Sequence, residues 1–189
     1  MSDAISPIGD RVTEAFVTVR GMGPRGMITV RGDLSSSKLK AVCTGLAGVD
    51  FPKAGHANCV GEKGLCWMSP DEVLILVPYD QTAAALKTLE QALAGTHYMA
   101  ANVSDARALI LLEGAGGREV LAKLAPVDLH PDSFGPGQFR RTRLGQIAAA
   151  FWMRDSETFE VICFRSVADY AFDLLSASAK EGPVGYLVP

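Results

Sequence analysis

The chain has 189 residues, of which 48% are apolar, and this is enough for a packed core in one large domain or two small lobes. Its 18 basic and 21 acidic residues give a net charge of −3, so there is no broad electrostatic reason to bind nucleic acid or an anionic membrane. No stretch approaches the roughly 18 uninterrupted apolar residues of a membrane span, and residues 1–10 lack the basic region and apolar core of a signal peptide. The composition predicts an ordinary soluble globular protein that stays in the cytoplasm.

The first half of the chain shows patterns in the order strand, strand, helix, strand, strand, helix. Residues 14–20 and 26–31 are strand candidates separated by a Gly-Met-Gly-Pro turn, and we expect them to form a hairpin. A serine run then precedes apolar residues spaced along one helix face, Leu39, Val42, Cys43 and Leu46. The later elements are strands at 65–68 and 73–77 and a helix that Asp80 caps, with Leu86, Leu89 and Leu93 inward and its end at Gly95.

The second half repeats this order. Its strand candidates are 98–103, 108–112, 138–143, 147–153 and 159–164, and a short helix at 119–124 ends before Pro126. A last helix begins at a capping box formed by Ser166 and Asp169, with the inward stripe Val167, Tyr170, Ala171 and Leu174. Hairpins followed by helices favour antiparallel sheets with helices packed on one face, so the predicted class is α+β.

Short segments of the first half also return in the second half. The stretch that begins at Arg25 returns at Arg107, 82 residues later, and Trp67-Met68 before an apolar run returns as Trp152-Met153, 85 residues later. This repeat predicts two superposable lobes, residues 14–97 and 98–189, with the two tryptophans at equivalent places. A coincidence between two strand-helix segments of similar composition is the alternative.

Two further patterns bear on cofactor binding. Gly114-Ala115-Gly116-Gly117 follows a strand and opens a helix, where a phosphate could bind, but Glu119 stands in place of the third glycine of a nucleotide-binding loop. A glycine turn is therefore the preferred interpretation. His56 and Cys59, with Cys66 further on, resemble a metal half-site that no second pair completes, so buried or loop thiols are preferred. We predict no catalytic, cofactor-binding or metal-binding residue.

Residues 128–143 combine aromatic rings, arginines and stiff turns of glycine and proline. Arginine and aromatic side chains supply most of the binding energy at protein interfaces, so this segment is the predicted interaction surface, with a solvated strand edge as the alternative. His130, beside Asp128 and Asp132, could also act as an acid or base, although a structural hydrogen bond is the simpler role. The predicted interface residues are His130, Phe134, Phe139, Arg140, Arg141 and Arg143.

Four short motifs occur in one order along the chain: Trp67 to Glu72 before an apolar strand, Asn102 to Ala108, Asp128 to Pro131 with Phe134 and Gly137, and Thr142 to Gly145. Their order and spacing resemble the gamma subunit family of heterotetrameric sarcosine oxidase, over about residues 21–176. That family is related to the folate-binding domain of the glycine-cleavage aminomethyltransferase. The resemblance therefore implies that domain's fold, in agreement with the two-lobed repeat.

The resemblance also implies a role. It implies a non-catalytic subunit of a complex that oxidatively demethylates sarcosine to glycine, passes the one-carbon unit to tetrahydrofolate and forms hydrogen peroxide. This chain would carry no cofactor: FAD, FMN, NAD and folate are expected on the alpha and beta subunits and zinc on the delta subunit, with alpha in direct contact. Two other hypotheses stay open, a free-standing folate or one-carbon binding protein of the same fold and a small enzyme that uses His130 with a neighbouring aspartate.

Overall fold

The computed structural model describes residues 5–185. In chain order, its strands are β1 (Val12–Thr13), β2 (Thr18–Gly21), β3 (Arg25–Gly32), β4 (Ala57–Val60), β5 (Lys63–Ser69), β6 (Glu72–Pro78), β7 (Tyr98–Asn102), β8 (Arg107–Glu113), β9 (Phe139–Leu144), β10 (Ile147–Asp155) and β11 (Thr158–Phe164). Its helices are α1 (Ser37–Ala47), α2 (Thr82–Leu93), α3 (Gly117–Ala122) and α4 (Ala168–Lys180). None of the helices in the described residues is long and apolar enough to cross a membrane.

These elements form two compact units. The inserted unit is Arg25–Asp105, and the flanking unit consists of the residues before and after it. Each unit is an antiparallel sheet with helices on one face, in the strand order β4-β5-β6-β3-β7 for the inserted unit and β1-β2-β8-β11-β10-β9 for the flanking unit. The predicted α+β class is therefore confirmed.

The core of the inserted unit lies between its sheet and helices α1 and α2. Alternate residues of β3 and β6, such as Ile28 and Ile75, pack against the inner faces of the two helices. The predicted serine cap is present, because the Ser36 side chain accepts a hydrogen bond from the Leu39 amide, and α1 ends at Gly48 in the left-handed conformation. The core members are Ile28, Val30, Leu39, Cys43, Ala47, Leu65, Val73, Ile75, Val77, Ala85, Leu89 and Leu93.

The core of the flanking unit is built on aromatic rings. Phe134, Phe151 and Phe159 lie together, with ring centroids 5.6 to 6.5 Å apart, between the sheet and helices α3 and α4. The inward stripe of α4 is Ala168, Ala171, Phe172, Leu175 and Ala179. The predicted stripe of α4 was wrong at Tyr170, which is 47% exposed, because the helix is rotated by about one residue from that assignment.

The two halves of the sequence exchange one strand, and this changes the predicted lobes. Strand β2 pairs with β8 rather than with β3, and β7 pairs with β3 rather than with β8. The predicted hairpin of residues 14–20 with 26–31 was therefore wrong. The unit boundaries differ from 14–97 and 98–189 for the same reason: each first strand completes the sheet of the other half.

The exchange leaves the repeat itself visible. The sheet of the inserted unit runs β4-β5-β6-β3-β7, and the sheet of the flanking unit, read from its other end, runs β9-β10-β11-β8-β2. Each strand of the first order corresponds to the strand at the same place in the second order. Arg31 lies opposite Glu72, the first residue of β6, and Glu113 lies opposite Thr158, the first residue of β11. Since β6 and β11 are equivalent strands, Arg31 corresponds to Glu113. This register reproduces the sequence offset between Arg25 and Arg107.

The two tryptophans lie on equivalent strands but not at equivalent positions. The β5–β6 hairpin closes at Ser69 and the β10–β11 hairpin at Asp155, each with a bulge just before the closing pair. Aligned on these pairs, Trp67 corresponds to Met153 and not to Trp152. Since neighbouring residues of a strand point to opposite faces, the tryptophans lie on opposite faces of their sheets.

Their surroundings differ accordingly. Trp67 shares the helix side of its sheet with its cross-strand neighbour Val73 and is partly exposed. Trp152 lies on the side away from the helices, because its neighbours Phe151 and Met153 belong to the helix-side core, and it is 1% exposed. The prediction that the two side chains are equivalent was wrong by one residue.

Candidate interaction surface

The loop before β9 is held from inside by Arg118 of α3, which is 9% exposed. Its Nη1 donates hydrogen bonds to the carbonyl oxygens of Leu129, at 2.8 Å, and of Phe134, and its Nη2 lies 3.1 Å from the Met153 sulfur. Burial lowers the pKa of the Arg118 guanidinium, because water no longer solvates the charge. The two carbonyl dipoles replace part of that solvation, so the loop and the arginine fix each other in place.

Two of the predicted interface residues belong to the core instead. Phe134 is fully buried, and its ring packs against Phe151 and Phe159. Phe139 is 2% exposed and stacks on Trp152 at a centroid distance of 6.1 Å. The prediction that these rings meet a partner was wrong, since aromatic side chains between tight turns close the chain's own core here.

Arg140 is also mostly structural. Its guanidinium lies 5.3 Å from the centre of the Phe134 ring, and its Nη1 donates to the Phe139 carbonyl at 2.9 Å. A second bond runs from Nη2 to the Gln138 side chain at 3.3 Å. These contacts place Arg140 over the helix-side core, where it covers the Phe134 ring.

Arg141 and Arg143 are exposed on the other side of the same strand. Their cross-strand neighbours on β10 are Ala150 and Ala148, and β9 is an edge strand of its sheet. Arginines on an edge strand also discourage unwanted pairing with other chains. The structure thus brings together on one edge the arginines that the sequence predicted, and leaves two of them accessible.

His130 lies in the exposed loop and is engaged with its own turn. Its Nδ1 accepts a hydrogen bond from the Asp132 amide at 3.3 Å and lies 3.6 Å from an Asp132 carboxylate oxygen. The pKa of Asp128 is lowered, chiefly by a hydrogen bond from the Ser133 side chain and then by one from the His130 amide. These are turn-forming contacts, as the simpler interpretation of His130 expected.

An exposed aromatic residue that the sequence did not single out lies near Arg143. Phe164, at the end of β11, is 53% exposed and lies opposite Arg107 on β8. Ala149 pairs with Cys163, so the next pair in the register brings Phe164 beside the exposed Ala148, the neighbour of Arg143.

The strand alternation could have predicted the exposure of Phe164. Phe159, Val161 and Cys163 point to the core, so Phe164 points the other way. Arg141, Arg143, Ala148 and Phe164 are hereafter the arginine corner.

The glycine-rich turn after β8 is explained by packing. A Cβ at Gly116 would lie 2.1 Å from the Phe16 ring, and one at Gly117 would lie 2.9 Å from the Phe159 ring. Gly114 has φ +131°, a conformation that L side chains rarely adopt. The chain's own phenylalanines therefore occupy the space beside this turn.

The cysteines and histidines lie in separate environments. Burial raises the pKa of Cys43 to about 12 and that of Cys163 to about 11, so both thiols are protonated at neutral pH. The His56 ring bonds to the Ala54 carbonyl at 3.0 Å. Among residues 5–185, no three side chains of His, Cys, Asp or Glu are grouped so that they could hold a metal ion.

Comparison with known proteins decides the family. The family model described as "Sarcosine oxidase, gamma subunit family" matches residues 31–181. The chain belongs to this gamma subunit family. The gamma subunit of sarcosine oxidase from Corynebacterium sp. (strain U-96) is 28% identical over 158 residues, which cover 82% of this chain and 74% of that one. The Arthrobacter sp. gamma subunit is 31% identical over 138 residues, which cover 72% of this chain and 66% of that one.

Solved structures agree with this assignment of the gamma-family chain. A chain of heterotetrameric sarcosine oxidase from Corynebacterium sp. U-96, solved in complex with pyrrole 2-carboxylate, matches with a TM-score of 0.79 and 25% identity, over 91% of this chain and 88% of that one. Aminomethyltransferase T of the glycine cleavage system from Bartonella henselae matches with a TM-score of 0.62 and 17% identity, over 86% of this chain and 46% of that one. The second likeness shows the fold. The resemblance seen in the sequence, in both family and fold, is confirmed.

Proposed function

We propose that this gamma-family chain is a non-catalytic subunit of a heterotetrameric sarcosine oxidase in the cytoplasm. The complex demethylates sarcosine oxidatively to glycine, passes the one-carbon unit to tetrahydrofolate and forms hydrogen peroxide. The alpha, beta and delta subunits are its partners. They hold FAD, FMN, NAD, folate and zinc, and this chain holds none of these groups.

One observation carries the proposal. The chain matches a chain of a heterotetrameric sarcosine oxidase over nearly the full length of both, at a TM-score of 0.79. A secondary support is that the glycine turn after β8, the best candidate for a phosphate cradle, is packed against Phe16 and Phe159. A nucleotide would have to displace both rings to reach the backbone there.

We place the contact with the alpha subunit at the arginine corner, in place of the buried Phe134 and Phe139. Phe164 offers a partly exposed ring, and Arg143 and Arg141 offer guanidinium groups on the same face of the sheet. Arginine and aromatic side chains are enriched among the residues that dominate binding energy. The fitting partner is a surface that brings carboxylates to the arginines and an apolar pocket to the ring.

Reconstitution tests the subunit role. The four chains are co-expressed with a purification tag on alpha, and the same is done without the gamma-family chain. We expect the tagged complex to retain the chain through size-exclusion chromatography, and complex assembled without it to show lower yield or lower sarcosine-dependent oxygen uptake. Failure of the wild-type chain to co-purify would refute the proposal.

Charge removal at the arginine corner tests the contact. The double variant Arg141→Ala with Arg143→Ala is expected to weaken capture by alpha at least tenfold, because interface arginines often contribute more than about 1.4 kcal/mol each. The matched control is Lys53→Ala with Lys87→Ala, which removes the same charge from exposed sites in the inserted unit. Equal capture of both double variants would place the alpha contact elsewhere.

Calorimetry separates the proposal from a free-standing folate-binding protein. Tetrahydrofolate is titrated into the isolated chain and, in parallel, into the assembled complex. We expect heat of binding only with the complex. Micromolar binding by the isolated chain would favour the folate-binding hypothesis instead.

A further inference from the structure

The inserted unit has an edge strand that lacks the usual protection. Strand β7 ends the five-stranded sheet, and within residues 5–185 its strand partner is β3 alone. Its sequence, Tyr-Met-Ala-Ala-Asn, contains no charge and no proline, and Met99 is 44% exposed. Natural proteins blunt such edges with charges, proline or a covering segment. The edge strand β9 carries arginines, whereas the part of the chain that the structure describes gives β7 none of these devices.

The hydrogen-bond register shows which groups of β7 point outward. The Val103 amide donates to the Met27 carbonyl at 2.8 Å, just beyond the end of the strand. In an antiparallel pair, residues alternate between bonding the neighbour and pointing away from it. Ala101 and Met99 therefore bond β3, and the amides and carbonyls of Ala100 and Asn102 point to the open edge.

The repeat shows what such an edge can hold. By register on β3 and β8, Asn102 corresponds to Gly21 at the end of β2. The Gly21 amide points away from β8 and donates to the Arg11 carbonyl at 2.8 Å, and β1 continues this pairing antiparallel to β2. In the flanking unit, residues 11–13 thus cover the edge that stays open on β7.

We propose that the outer edge of β7 takes an added antiparallel strand from a partner subunit, in the position that residues 11–13 hold on β2. The donor is an extended, uncharged segment that offers a carbonyl to the Asn102 amide and a carbonyl and an amide to Ala100. Main-chain hydrogen bonds supply the affinity, and contact with Met99 supplies side-chain selectivity. This inference rests on the proposed subunit role, because the donor comes from that assembly.

Hydrogen exchange measured by mass spectrometry tests the inference on the unmodified protein. Amide exchange in residues 98–102 is compared between the isolated chain and the purified four-subunit complex. We expect the outward amides of Ala100 and Asn102 to exchange at least tenfold more slowly in the complex. Unchanged exchange at these amides, in a complex that forms normally, overturns the inference and leaves the subunit role intact. A complex that does not form refutes both.

A proline substitution gives an independent arm. Ala100→Pro removes an outward amide and no bond to β3, so we expect the isolated chain to keep its fold and capture by the complex to fall at least tenfold. The control is Cys59→Pro on β4, at the opposite edge of the same sheet. The Trp67 amide donates to the His56 carbonyl there, so by the same alternation the Cys59 amide points outward, away from β5. Equal capture of the two variants overturns the inference. Should Ala100→Pro not fold, the exchange measurement decides.

A second copy of this chain is the competing occupant. Light scattering of the isolated chain gives its mass, and we expect a monomer with fast exchange at β7. A dimer whose β7 amides are already protected, and which Ala100→Pro dissociates, would assign the edge to self-association and overturn the partner-subunit assignment.

Discussion

Replacement of Phe134 by alanine should strongly destabilise the flanking unit. Phe134 is fully buried, and its ring lies 5.6 Å from Phe151 and 6.2 Å from Phe159, centroid to centroid. Truncation of a buried phenylalanine costs about 3–5 kcal/mol, and the loss of two aromatic contacts favours the middle or upper part of that range. We expect a loss of about 4 kcal/mol in the free energy of unfolding.

Phe164→Ala is the matched control, because the same ring is removed from a site that is 53% exposed. Full burial of such a side chain contributes about 1.5–3 kcal/mol, so half of it predicts about 1 kcal/mol. The chain has two tryptophans, and a Trp67→Phe background leaves the buried Trp152 as a fluorescent reporter in the flanking unit. Urea unfolding followed by this signal gives both values. A cost below about 1.5 kcal/mol for Phe134→Ala, or equal costs for the two variants, would refute the assignment of Phe134 to the core.

Three other outcomes are expected. Gly26→Ala should cost about 1–3 kcal/mol, because its Cβ would lie 2.8 Å from the Val77 carbonyl oxygen of the paired strand β6. Gly45→Ala, with open space in an exposed turn of α1, should stabilise by about 0.5–1 kcal/mol; urea unfolding followed by tryptophan fluorescence measures both, and two effects of the same sign would contradict the packing. Arg118→Lys should lower the free energy of unfolding by about 2 kcal/mol and speed amide exchange in residues 129–134, because one ammonium cannot span both carbonyls as the guanidinium does. Unchanged exchange would show that the loop keeps its structure without Arg118. Iodoacetamide at pH 8 should label Cys59 before Cys43, because burial raises the pKa of the Cys43 thiol to about 12 and only the thiolate reacts. Peptide mass spectrometry gives the order of labelling, and early labelling of Cys43 would mean that the inserted unit opens readily.

Local elements could be predicted from the sequence because their signals are local. The serine cap and the apolar stripe of α1 and the adjacent strands β5 and β6 all depend on residues within a few positions of one another. The repeat was visible for the same reason, since each copy keeps its own strand and turn pattern. The family followed from motifs whose order matched over most of the chain.

Local signals could not predict that β2 pairs with β8 and β7 with β3. Both strands precede a glycine- or serine-containing turn and then a second strand, which is the pattern of a hairpin. Which of two equivalent sheets each strand joins depends on the course of the short connection at residues 22–24 or 103–106, and no local preference encodes it. The short strands β1 and β4 were missed because two to four residues carry little periodic signal.

The sequence also did not predict which residues of segment 128–143 are buried. Aromatic and arginine residues between glycines and prolines have the composition of an interface, and they also have the composition of a loop folded over a core. What distinguishes the two is Arg118, which lies well before the loop in sequence and anchors it from inside through the Leu129 and Phe134 carbonyls. The strand alternation separates the exposed Arg141 and Arg143 from Arg140, which lies over the helix-side core. It could not separate them from Phe139, which lies on the same face of β9 and is buried against Trp152.

The exchanged strands also dictate an order of events as the chain emerges from the ribosome. The inserted unit is one continuous stretch, so every strand of its sheet is available once Asn102 has been made. Strand β2 leaves earlier but must wait for β8, because Thr18 pairs with Glu113. Apart from its short pairing with β1, strand β2 therefore has no native partner while an entire sheet forms behind it, and an unpaired strand edge of this kind favours aggregation during synthesis. A circular permutant that begins at Arg25 and joins the old termini would place β2 and its neighbours in one late stretch and remove this waiting period.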